Sequence, residues 1–168
     1  MKTIKSTIKM FLLLGLFTAA CEKDDETPQV IQKEYDMNAV SDPMIQGTIT
    51  FTKESETSTV IRIQLEGTEA GNSHPAHIHR NAASEGGGIA IGLNDVTGAT
   101  GISETTVTEM GDGTAINYDG LLNFDGHANV HLSPSAMSTL IAQGNIGSNS
   151  QASNTNDPNP DNNNNDGY

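Results

Sequence analysis

The chain has 168 residues, a formal net charge of −13 and a single cysteine, Cys21. That length suffices for one domain. So acidic a chain is a poor partner for nucleic acid or for an anionic lipid surface. With one thiol there is no intrachain disulfide, so any staple must come from packing or from a metal ion.

The two ends are set apart from the fold. Residues 1–20 read as a secretory leader: Lys2, Lys5 and Lys9 form a basic start, and the apolar run from Met10 to Phe17 is too short to span a bilayer. Losing this leader removes three lysines and no acid, taking the net charge from −13 to −16. Small residues, Thr18-Ala19-Ala20, lead into Cys21. That placement resembles the lipid-attachment cysteine of a bacterial lipoprotein; the alternative is an ordinary cleavage site beside an incidental thiol. Residues 21–30 form an acidic tether containing Glu22-Lys23-Asp24-Asp25-Glu26. Lys23, Asp24 and Asp25 resemble the signal that sends some Gram-negative lipoproteins to the outer face of the outer membrane. A solvated charged tether is the plainer reading, and both can hold together. The resemblance implies an outer-membrane protein, lipid-anchored and facing the cell exterior, held more firmly by several acyl chains than by one. At the other end, residues 148–168 are rich in Asn, Asp, Ser and Pro. They offer too little apolar surface to offset chain entropy and are expected to be disordered.

Residues 31–147 remain as the folded part. No segment sustains a period of 3.6, and short alternating runs dominate, so the domain is expected to be all-β. Strands are predicted over 31–40, 46–51 with Ile49 and Phe51 inward, and 59–65 with Ile61, Ile63 and Leu65 inward. Polar loops fall at 53–58 and 67–72, and a Gly-rich loop at 81–88 follows a strand carrying His77 and His79. Ile89, Ile91 and Leu93 alternate again. Residues 102–110 are Thr-rich and read as an edge or half-exposed strand. Gly111-Asp112-Gly113 is a turn. Residues 115–118 and 127–132 are further strands, with Gly120 and Gly126 as bends. Ser133-Pro134-Ser135 can cap one helical turn running toward Leu140, and 140–147 is the closing strand. Seven or eight short strands predict an antiparallel Greek-key sandwich or barrel. With no tryptophan, its core must be mainly Ile, Leu, Val and Ala.

The chemistry concentrates in Ser73-His74-Pro75-Ala76-His77-Ile78-His79-Arg80, which holds three of the five histidines. On a strand His77 and His79 share a face, about 6.5–7 Å apart along the chain. Two such imidazoles can lean onto one metal ion. In His127-Ala128-Asn129-Val130-His131-Leu132, the residues His127, Asn129 and His131 share one face. A metal site closed by a long-range histidine follows. Asp112, Asp119 and Asp125 stand in turn-like sequence and read as turn residues. No Ser/His/Asp arrangement, phosphate loop or nucleophilic cysteine is present.

These histidines carry a resemblance. Ala39-Val40, the segment from Ile45 to Phe51, and His74-Pro75-Ala76-His77-Ile78-His79 are similar to the first half of a Cu,Zn superoxide dismutase; Val130-His131 before the strand from Ala142 to Gly147 is similar to its end. The chain equally resembles the CHRD (chordin-type) domain of secreted bacterial proteins, with its His-x-His motif and a later Asn-Val-His, here Asn129-Val130-His131. The dismutase resemblance implies that His77, His79 and His131 are copper ligands, with zinc the second choice of metal, and that His74 is a structural histidine. His127 is the candidate extra ligand, with a surface histidine as the plainer reading. No histidine lies between Arg80 and His127, and Leu140 stands where the dismutase family has its active-site arginine. A mononuclear site is therefore what the resemblance supports.

Three readings follow: a surface lipoprotein whose CHRD-like domain binds an extracellular protein and can hold one copper; a copper-only dismutase-like enzyme; and a structural or adhesive surface protein. The anchor can be tested directly. Cys21→Ala should move the protein from the membrane fraction to the soluble fraction, and unchanged fractionation would rule the anchor out.

Overall fold

The computed structural model describes residues 29–42 and 44–150. The expected leader, Cys21, the Lys23-Asp24-Asp25 signal and the tail from 151 onward lie outside the described residues. The elements are β1 (Gln32–Ala39), β2 (Gly47–Lys53), β3 (Thr59–Leu65), β4 (Ser73–Arg80), β5 (Ile89–Thr97), β6 (Ile102–Val107), α1 (Tyr118–Leu122), β7 (Asp125–His131) and β8 (Leu140–Gly147). They close into a barrel in the order β1-β2-β3-β6-β5-β4-β7-β8, with every pair antiparallel. Within it, β7-β4-β5-β6 is a Greek key: three hairpin-connected strands with a fourth returning beside the first. Of the two layouts open to the sequence, the barrel is the one adopted.

The period of two explains the interior. Ile49 pairs with Ile63 and Phe51 with Ile61, so each inward row meets another inward row across the strands. Tyr35 on β1 meets the Phe51 ring edge-on at a centroid distance of 5.2 Å. Burial pushes the Tyr35 hydroxyl up to about 12. From the other half come Ala76, Ile78, Ala128, Val130, Ala142 and Ile146, all buried. The core is thus built mainly from Ile, Val, Leu and Ala. Gly144 has to be small, because a Cβ there would collide with the Asp36 carbonyl where β8 meets β1. Gly101, at φ 69°, turns the chain from β5 into β6.

Several local expectations are corrected. The alternation Ile89/Ile91/Leu93 does not survive. Two register shifts against β4, each accommodating one extra β5 residue, leave Ala90 and Ile91 both buried and Ile89 57% exposed. β6 is half-exposed as expected but is no edge, since β3 and β5 flank it. Residues 115–118 do not form a strand. Ala115 makes only an isolated bridge to Glu109, and Tyr118 opens α1. The Asn117 side chain accepts from the Gly120 amide at 3.0 Å, an N-cap that places Gly120 inside a helix. Gly126 likewise sits within β7. Ser133-Pro134-Ser135 opens turns, not a helix, because Leu132 N–H donates to the Thr139 carbonyl at 2.9 Å and closes the segment as a loop between β7 and β8. Residues 148–150, expected in the tail, are tied back: Ser148 N–H donates to the Phe124 carbonyl at 3.0 Å.

The β5–β6 seam is held in an unusual way. Only Thr97 and Ile102 pair by register. Farther along, Asn94 substitutes for the ladder: its amide donates to Thr105 Oγ1 at 2.9 Å, its side-chain Nδ2 donates to the Glu104 carbonyl at 2.6 Å, and its carbonyl accepts from Ser103 Oγ at 2.6 Å. Bulges pull β5 out of register with β6, and side chains span what the backbone cannot. Asn94→Ala removes one of these bonds and should cost about 1 kcal/mol, lowering the thermal midpoint by roughly 2–8 °C. An unchanged midpoint in a calorimetric melt would show that the seam does not depend on Asn94.

Candidate metal centre

The site is built by the pairing of β4 with β7. Ala76 pairs with Val130, His77 with Asn129, Ile78 with Ala128 and His79 with His127. Because side chains alternate faces, the apolar partners fill the barrel while the His and Asn partners stand on its outer wall. That wall is covered, since His127 and His131 are 2% and 7% exposed, while His77 and His79 are half-buried. Loop 81–88 covers one end through hydrogen bonds from His79 and His127, and loop 132–139 begins directly after His131.

His77, His79 and His131 come together. Their nearest ring nitrogens all lie within 4.8 Å of one another. Ring centroids are 5.9 Å apart for His77 and His79 and 5.3 Å for His77 and His131. A tetrahedral ion at about 2.0–2.1 Å from each nitrogen needs them about 3.3 Å apart, so the rings have to close by at most about 1.5 Å. The nitrogens are in a suitable state. His79 Nδ1 lies 2.9 Å from the Gly87 carbonyl; a carbonyl only accepts, so Nδ1 carries the proton and Nε2 keeps its lone pair. That Nε2, His77 Nδ1 and both nitrogens of His131 are buried without a hydrogen-bond partner. Orphaned polar atoms of this kind cost roughly 1–3 kcal/mol each. A cation bound among them would satisfy them, so the donor set fits a metal ion. The Gly87 carbonyl behind His79 is the usual outer partner of a ligating imidazole.

The two remaining histidines are placed differently. His74 faces the interior, and its Nδ1 donates to the Leu132 carbonyl at 2.8 Å, with the His131 carbonyl at 3.3 Å, tying the start of β4 to the end of β7. His127 stacks on His79 at a centroid distance of 5.2 Å and an angle of 18°. Its Nδ1 donates to the Asn81 carbonyl at 2.7 Å, and its Nε2 meets Asn129 Nδ2 at 3.4 Å, so both nitrogens are engaged. Sequence reasoning missed Gly87, whose role is a backbone one and leaves no side-chain signal. It also missed Gln143, whose Nε2 donates to Asn129 Oδ1 at 2.8 Å. Its signal was the alternation of β8, which puts Gln143 on the outer wall opposite Asn129.

No family model matches the chain, and no curated protein matches it either. Fold and site therefore define its class: an eight-stranded antiparallel barrel with a trihistidine cluster, able to coordinate a metal ion, on its covered outer wall. Among the described residues no helix is long and apolar enough to cross a membrane.

Burial is the largest influence on His77 and holds it below the ordinary imidazole range; His131 and His79 push the same way, against Asp95. His131 is also lowered, first by burial and further by His79, while the Met137 backbone opposes. A folded-state value below the unfolded one means that the unfolded chain binds more protons in the window between them. The metal-free fold should therefore keep this contribution above about pH 6.5 and lose it as pH falls through the depressed values. Denaturant melts of metal-free protein from pH 7.5 to 5 should show this loss, and His77→Phe should flatten it. A profile unchanged by that substitution would contradict the assignment.

Proposed function

We propose that the protein is a lipid-anchored surface protein whose barrel holds one copper ion at His77, His79 and His131 and serves as a binding module for an extracellular protein ligand. The observation that carries the metal reading is the trio of imidazoles, each of which has at least one buried nitrogen left without a hydrogen-bond partner. Copper is favoured over zinc because an all-imidazole set suits both, and copper(II) stands higher in the affinity order of divalent ions. The anchor at Cys21, the export signal at Lys23, Asp24 and Asp25, and the outer-membrane location rest on sequence alone. So does the CHRD-like binding role.

A copper-only dismutase is the second reading. In its favour are the Greek-key barrel and the placement of His77, His79 and His131 on adjacent strands. Against it stand a net charge of −16 without the leader, which repels an anionic substrate, and the apolar Leu140. In either reading copper, when bound, supplies one-electron redox capacity. The protein's part is to hold three imidazoles close together with nitrogens sheltered from solvent.

Calorimetric titration with Cu(II) should give one ion per chain. At a hundredfold excess over the dissociation constant, the ion should stabilise the fold by about 2.7 kcal/mol. Because burial depresses His77 and His131, protons should compete with the ion at those two rings only at a lower pH than at an ordinary imidazole. His77→Ala and His131→Ala should each weaken binding strongly. Wild-type affinity in both would place the metal elsewhere. Superoxide consumption no faster with copper than without it would eliminate the dismutase reading and leave the binding module.

A further inference from the structure

A buried polar chain crosses the outer wall beside the trihistidine cluster. Gln143 Nε2 donates to Asn129 Oδ1 at 2.8 Å, Asn129 Nδ2 approaches His127 Nε2 at 3.4 Å, and His127 Nδ1 lies 2.7 Å from the Asn81 carbonyl. Its direction is forced from one end. The Asn81 carbonyl can only accept, so His127 is protonated at Nδ1 and accepts at Nε2; Asn129 must then turn its NH2 to His127 and its oxygen to Gln143. His127 lies flat on His79 at 18° and 5.2 Å. His79 in turn donates to Gly87, at the far end of the loop that Asn81 opens. Asn81 itself, at φ 67°, grips that loop through its Nδ2 and the Gly86 carbonyl at 3.0 Å. One loop therefore holds both rings, and each ring limits the rotation of the other.

We infer that His127 is a positioning residue for His79, with Asn129 and Gln143 as its support. The stack keeps His79 Nε2 directed at His77 and His131; His127 is not a fourth donor. To coordinate, His127 would have to surrender Nε2 and leave a buried Asn129 NH2 without that partner. The inference rests on the metal reading above and extends it from the ligands to the groups that orient them.

The test uses the chain without its leader, as wild type and as His127→Phe, His127→Gln and Gln143→Ala, each titrated with Cu(II) and examined by electron paramagnetic resonance. Every protein should bind one copper with the same number of coupled imidazole nitrogens. His127→Gln, which has no ring to stack, should lose about tenfold to a hundredfold in affinity. His127→Phe keeps a ring on His79 and should recover much of that loss. Gln143→Ala, one link farther away, should show a smaller loss in the same direction. Loss of one coupled nitrogen in both His127 variants would make His127 a donor and overturn the inference, as would wild-type affinity in His127→Gln. Should His127→Gln fail to fold in a metal-free melt, wild-type affinity in Gln143→Ala overturns it instead. Failure of the wild-type chain to bind copper is visible before any variant is compared, and removes the metal reading itself.

Discussion

The register between β4 and β7 is the constraint on which the rest depends. One set of backbone hydrogen bonds sets Ala76 against Val130 and Ile78 against Ala128 in the core, and in the same act sets His77 against Asn129 and His79 against His127 outside it. A slip of one residue would turn the histidines into the barrel and expose the apolar row. Core packing therefore enforces the geometry of the histidine wall. The free energy that holds the imidazoles close to one another comes from the burial of small apolar side chains on the opposite face.

The wall itself runs against the usual economy of a small domain. An antiparallel sheet commonly leaves its outer face to water, yet here His127, Asn129 and His131 are buried. Part of the cost is met: the Asn81 and Gly87 carbonyls and the Gln143 amide satisfy His127, His79 and Asn129. Part is not: on this wall the unmet nitrogens are His77 Nδ1, His79 Nε2 and those of His131. Satisfied groups surrounding unsatisfied ones are the arrangement expected of a cluster able to coordinate a cation. The depressed basicity of His77 and His131 has the same origin, because burial disfavours a charged ring and neighbouring rings disfavour it further.

Both register shifts of β4 fall on the side away from β7, and a third shift, between β7 and β8, falls at Val130 and His131. β5 carries both register shifts with β4 and forms the thinnest seam with β6. Asn94 and its partners close the barrel where the β5–β6 ladder fails. β4 thus keeps regular pairing on the β7 side, where the site is, and yields on the β5 side, where it is not.

The sequence by itself determined the inward rows of β2 and β3, because alternation of large apolar and polar residues admits one face there. It also determined that His77 and His79 share a face, since that follows from the period of a strand alone. It misjudged β5, where bulges break the period, the segment at 115–118, where an Asn cap outweighs a short apolar run, and the turns after Ser133, where a closing backbone bond prevents a helix. Alternation alone left open which distant histidine completes the trio; the resemblance named His131, and the tertiary structure brings it to His77 and His79. His127 and His131 have the same parity on β7 and are indistinguishable by pattern. What separates them is their surroundings: loop 81–88 and Asn129 occupy both nitrogens of His127, while no hydrogen bond of ordinary geometry reaches either nitrogen of His131, although the Met137 backbone lies near enough to act on its ring. Hydrogen-bond partners supplied by loops and by strands far apart in the chain depend on how the barrel closes, and local sequence carries no record of that.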